Sequence, residues 1–173
     1  MCERALLLAA LLWASAVNAA GLGLGHAPDA ATLAAADTAI GPRGDALPAG
    51  RGSVTQGAAL FAAQCAACHG ATGREGPDPV LVGGQGTLAT AKPLQTIGSY
   101  WPYATTVFDY VRRAMPFTQP GSLSDDQVYA LTAFLLAQNG ILPQDTVLDR
   151  AGLRAVRMPN QEGFLPDPRP AAP

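Results

Sequence analysis

Lysine occurs once in this chain of 173 residues, at Lys92, and the formal net charge is only −2. A chain so poor in positive charge has no basic stripe for a nucleic-acid backbone. It also lacks the lysine ring that would steer a diffusing partner electrostatically. Cysteine occurs three times and histidine twice, too few and too unevenly spaced for a disulfide framework. The apolar run at residues 5–17 is shorter than the roughly twenty residues that cross a bilayer as a helix. What the chain does have is Gly, Pro and Ala in quantity, and one dense cluster of Cys and His.

The first twenty residues, "MCERALLLAALLWASAVNAA", combine Arg4, the apolar run and small residues at Val17 and Ala19. This is the pattern of a secretory signal peptide, with cleavage expected after Ala19. The mature chain is then exported, periplasmic and without a membrane span. Cys2 leaves with the signal, and the remaining cysteines are Cys65 and Cys68.

Those two stand in "QCAACHG", residues 64–70. C-x-x-C-H is the attachment pattern of c-type haem. Residues three apart on a helix share a face, so both thiols can reach the vinyl groups on one edge of a porphyrin. His69 then lies beneath the iron as its proximal ligand. A redox dithiol would call for a βαβ context, whereas this region reads as a helix followed by a Gly/Pro loop. Zinc would call for four ligands, and only His26 remains to help. One covalently attached haem c is therefore the expected cofactor.

The iron's other axial position separates an electron carrier from an enzyme. His26, Lys92, Met115 and Met158 are the candidates. Met115, in "RRAMPF", is favoured because Pro116 ends its helix and fixes a loop, far enough beyond His69 for the chain to pass round the haem. Met158 reads as a hydrophobic contact of the tail. His/Met ligation closes both positions and favours electron transfer over chemistry at iron.

The scaffold reads as all-α. In "SVTQGAALFAAQC", Gly57 and Phe61 share a face, and a glycine inside a helix marks a close crossing. In "SLSDDQVYALTAFLLAQNG", Ser124 and Gln127 form a capping box, Leu123 and Val128 have staple spacing, and Asn139–Gly140 is the stop. Leu131 and Phe134 are expected to cross Gly57 and Phe61. "WPYATTVFDYVRRAM" reads as a third helix with Pro102 near its first position and Val107, Phe108 and Val111 inward. Residues 70–99 carry no strand pattern. Three helices are a thin core for this length, and haem supplies the missing apolar centre.

This arrangement resembles a class I cytochrome c: a helix into "CAACH", a Pro loop, a Met loop, and a last helix crossing the first. In that family a proline carbonyl accepts the proximal histidine's second N–H, and in "GPDPVLVGG" the resemblance points to Pro79 rather than Pro77. "GSVTQGAALFAAQCAACHG", "GSYWPYATTVFDYVRRAMPF", "LSDDQVYALTAFLLAQNGI" and "VRMPNQEGF" carry a narrower resemblance, to the cytochrome c subunits of periplasmic sulfane and sulfite dehydrogenases of sulfur oxidation. The resemblance implies a partner subunit that holds molybdenum cofactor and performs the oxidation, and a downstream cytochrome that takes the electrons. The longer Sox subunits carry a second haem domain, for which this sequence has no second C-x-x-C-H. The alternatives are a free periplasmic shuttle to a terminal oxidase and, of another class, an enzyme acting at its own iron.

The expected organisation is a signal peptide at 1–19, an arm with a short Ala-rich helix at 20–52, a monohaem domain at 53–142 and a second arm at 143–173. Leu153, Val156, Met158, Phe164 and Leu165 are larger than a solvated tail requires, so the arms are expected to pack. Arg112 is the candidate for a haem propionate and Arg113, pointing elsewhere, for a partner, although a solvated helix face accounts for both. Among Tyr100, Trp101 and Tyr103, whose polar tips could also reach propionates, Trp101 ranks first.

Overall fold

The computed structural model describes residues 25–169. The signal segment expected at 1–19 lies outside the described residues. The chain divides into two units, Met1–Thr38 and Ala39–Pro173. In the first, the Ala-rich stretch forms α1 (Ala30–Ala36), which begins where the Asp29 carboxylate accepts the Thr32 N–H at 2.7 Å, satisfying a donor that the first turn leaves open.

The second unit holds the core. It opens with β1 (Arg51–Ser53), which runs straight into α2 (Val54–Gln64). Ser53 and Gln56 cap this helix reciprocally: Gln56 N–H donates to Ser53 Oγ at 3.1 Å, and Ser53 N–H donates to Gln56 Oε1 at 2.9 Å. One further turn, α3 (Ala66–His69), follows directly. After a long loop come α4 (Ala104–Ala114) and α5 (Asp125–Gln138), then β2 (Val147–Asp149) and α6 (Arg150–Ala155).

Helix α5 is the axis of the unit. Its Ser124–Gln127 capping box is present, Leu123 and Val128 are both buried, and every residue from 128 to 137 is buried. A helix enclosed on all sides must be surrounded by other elements, and α5 packs against α2, α4, β1 and β2. The α2–α5 crossing is close because Gly57 has no side chain: a Cβ there would run into the Ala130 carbonyl and Phe134 Cβ. Phe61 and Phe134 stack beside it with ring centroids 5.1 Å apart. Phe134 thus meets Gly57 and Phe61 as the spacing suggests. The residue beneath Gly57 is Ala130 rather than Leu131, because only a small residue lets two backbones approach this far; Leu131 faces the core, 2% exposed.

Helix α4 turns Val107, Phe108 and Val111 inward. It starts at Ala104, with Tyr103 as its extended N-cap, so Pro102 lies two residues before the helix, near its first position. The Thr106 hydroxyl donates back to the Tyr103 carbonyl at 2.8 Å, which secures that start without proline.

One feature has no sign in the sequence: β1 and β2 pair antiparallel, Gly52 opposite Leu148. The arms pack as expected, with Ile40, Leu47, Leu148, Leu153 and Met158 in one cluster with the helices. Phe164 and Leu165 remain exposed, although Phe164 meets Tyr100 edge-on at 5.3 Å.

Candidate functional site

Phe61, buried in the helix crossing, fixes the end of α2, and its carbonyl accepts the Cys65 N–H at 2.9 Å. The Cys65 carbonyl in turn accepts from both Cys68 and His69, at 3.2 and 3.0 Å. One tight turn therefore carries Cys65, Cys68 and His69. Gly70, at φ +78°, then reverses the chain, in a region of backbone space that glycine enters without strain.

The loop that follows folds back over the turn. Asp78 N–H donates to the Cys68 carbonyl at 3.1 Å, and Gly76 lies so close to that carbonyl that a Cβ would overlap it. The next contact places the Pro79 carbonyl 3.0 Å from His69 Nδ1. A carbonyl only accepts, so Nδ1 carries the proton and donates. The neutral ring then has its lone pair at Nε2, the tautomer that binds a metal, and the carbonyl fixes the ring's orientation.

The two thiols are free. Burial, with a smaller push from Cys68, raises the Cys65 thiol to about 11. Hydrogen bonding to Asp78, then burial, raises Cys68. Both are protonated at neutral pH. A disulfide-exchange site depends on a thiolate, whereas thioether formation adds a neutral S–H across a vinyl group.

Cys65 and Ala66 of this turn pack half-buried on the core, as do Leu60, Leu81, Trp101 and Met115 elsewhere in the unit. Two thiols and an imidazole nitrogen on one turn fit a flat ring bonded at its edge. The residues present thus suit a haem in donor set. Among the described residues, no group of three or more Cys, His, Asp and Glu is arranged to hold a bare metal ion.

Met115 ends α4 as its C-cap, with an extended backbone and its N–H on the Val111 carbonyl at 3.1 Å. Trp101 stands edge-on to Tyr110 of α4 at 5.7 Å. Arg112 reaches the first turn of α5, where Nε donates to Asp125 at 3.0 Å. Arg113 grips Asp109, one turn back on α4, which also accepts the Ile40 N–H at 2.8 Å. Burial alone would raise the Asp109 carboxyl, but these bonds and the nearby Arg112 hold it below the ordinary carboxylate range. Met158 is 4% exposed within the core, Lys92 lies in the exposed part of the long loop, and His26 lies in the first unit.

A residue that the sequence marked only as a helix stop has a second task. Asn139 accepts the Gly83 N–H at 2.9 Å and donates to the carbonyls of Leu81 and Leu135, at 3.2 and 2.9 Å. It ties the end of α5 to the loop just beyond Pro79. Its signal in the sequence was faint, since Asn before Gly is also ordinary helix-stop chemistry.

Residues 52–135 match the family described as cytochrome C oxidase, cbb3-type, subunit III. No curated protein matches the chain. Among solved structures, a chain in the crystal structure of the sulfane dehydrogenase SoxCD from Paracoccus pantotrophus is 50% identical, with a TM-score of 0.76; the match covers 86% of this chain and 74% of that one. Identity at half the positions over most of both chains reaches well past shared architecture. Taken with the Cys–Cys–His turn and its proline-held imidazole, it means that this chain belongs to the class I cytochrome c family, whose members bind haem.

Proposed function

We propose that this chain is the electron-accepting cytochrome c subunit of a periplasmic, molybdenum-dependent dehydrogenase acting on sulfane sulfur or sulfite. The observation that carries the proposal is the 50% identity with a chain of a sulfane dehydrogenase over 86% of the sequence. Cys65 and Cys68 would hold one haem c through thioether bonds, with His69 Nε2 and the Met115 sulfur as the ligands offered to its iron. When bound, the haem supplies a one-electron couple between ferrous and ferric iron. The Pro79 carbonyl, by accepting from His69 Nδ1, makes the imidazole a stronger donor and holds its plane. Trp101 and Arg112 stand on or beside α4 as candidates for the propionate side, with Arg112 shared between that role and its pairing with Asp125.

With His69 and Met115 both serving as ligands, a bound haem would leave substrate oxidation to the partner subunit. The electrons pass onward to a second cytochrome.

The test is purification of the native protein under mild salt, with metal analysis and substrate-dependent reduction. Co-purifying molybdenum, together with haem absorbance that reduces on adding sulfite or a sulfur-loaded carrier protein, is the expected result. Iron without molybdenum, and no reduction by either donor, overturns the subunit reading in favour of a free shuttle.

A further inference from the structure

We propose that Asn139 is a positioning residue for the axial histidine, acting through the loop it holds. The inference rests on the haem reading above and adds to it a residue far from the cysteines in sequence.

In the loop at 79–85 Val82 is buried and Leu81 packs on the core, but Pro79 is exposed, so hydrogen bonds set where its carbonyl lies. Among them are Asp78 N–H on the Cys68 carbonyl at 3.1 Å and Ile97 N–H on the Leu81 carbonyl at 3.3 Å. On one side Leu81 N–H donates to the Gly73 carbonyl at 2.8 Å. On the other, the Asn139 side chain takes the Gly83 N–H and gives one N–H to the Leu81 carbonyl, while its second N–H returns to Leu135 on its own helix. The Asn139 backbone carbonyl also accepts from Gln85 Nε2 at 2.9 Å. Oxygen and nitrogen of the amide are not interchangeable here, because one end faces a donor and the other faces two carbonyls.

The site is built for an amide of this length. Asn139 is 8% exposed, and Gly98 leaves room for it: a Cβ on Gly98 would collide with Asn139 Oδ1. α5 is the most enclosed element of the unit. Through Asn139 that rigidity reaches Leu81 and Gly83, then Pro79, then the Nδ1–H of His69. A group held in this way keeps the acceptor on the imidazole as the rest of the loop moves, and so keeps the ligand's donor strength constant.

The experiment uses the haem-loaded protein with Asn139→Ala, Gly98→Ala and, as control, Thr132→Val. Thr132 makes a buried hydrogen bond to Val128 within the same helix and none to the loop. Haem content is measured first, so that a chain lacking covalent haem overturns the parent reading separately. The readouts are then exchange of the His69 Nδ1 proton by NMR, the midpoint potential and the melting temperature. Asn139→Ala is expected to speed that exchange about tenfold, as local opening of the loop becomes easier. It is also expected to raise the potential, because a weaker acceptor on Nδ1 makes a less donating ligand. Gly98→Ala should move both in the same direction by displacing the amide, and Thr132→Val should lower the melting temperature alone. Exchange and potential at wild-type values in Asn139→Ala would leave Asn139 a structural residue only and overturn the proposal. If Asn139→Ala does not accumulate, the same result in Gly98→Ala decides it.

Discussion

The α2–α5 crossing and the Cys–Cys–His turn follow one another along the chain, yet they are built by opposite means. At the crossing, glycine against backbone and phenylalanine against phenylalanine close the space completely, and the chain needs nothing from outside. One turn further on, hydrogen bonds to carbonyls hold the loop, Asp78 N–H on Cys68 and His69 Nδ1–H on Pro79. The first region is fixed by close packing of its own atoms. The second is fixed by directed bonds that orient three side chains, and the difference separates the part that folds from the part that binds.

The sharpest way to break this contrast is to prevent attachment. In Cys65→Ser with Cys68→Ser a haem would lose its points of attachment, and cooperative thermal unfolding is expected to disappear, as seen by near-ultraviolet circular dichroism. A fully cooperative transition in that variant would mean that the helical side suffices. Phe61→Ala tests the closed side: it removes a fully buried ring and should cost about 3–5 kcal/mol in urea unfolding of the haem-loaded protein.

The two methionines divide the regions between them. Met158→Ala is expected to cost about 2–4 kcal/mol and to leave the thioether-to-iron absorption band intact, since its side chain is in the core. Met115→Ala should abolish that band at a smaller cost in stability. The reverse pattern in the two spectra would reassign the ligand.

The smallest effect concerns Asp109. Its carboxyl is held below its unfolded value of about 3.9 by Arg113, the Ile40 N–H and Arg112. A lowered carboxylate contributes stability above the unfolded value and loses it as pH falls through the folded one. Asp109→Asn should therefore flatten the loss of melting temperature below about pH 4 while leaving the haem spectrum unchanged.

The same contrast governs what the sequence could tell. The helices were legible because their signals are local: Ser124 and Gln127 stand three apart, and Val107, Phe108 and Val111 recur at helical spacing. The family was legible because five adjacent residues at 65–69 join three functions. Ala130 at the crossing, the β1–β2 pair and Asn139 were not legible, since each depends on a partner dozens of residues away. Nothing in "RGS" or "VLD" alone announces a strand, as the pairing comes from α5 packing against β1 and β2. Pro102 lies near the start of α4 as its sequence position suggests, two residues before Ala104.

The pairing of β1 with β2 has a consequence in time as well as in space. Residues 51–53 and 147–149 bracket the helices and the Cys–Cys–His turn, so their pairing cannot close until the chain between them is in place. Non-local pairings form slowly, and closure of this ribbon is expected to be a late step of folding.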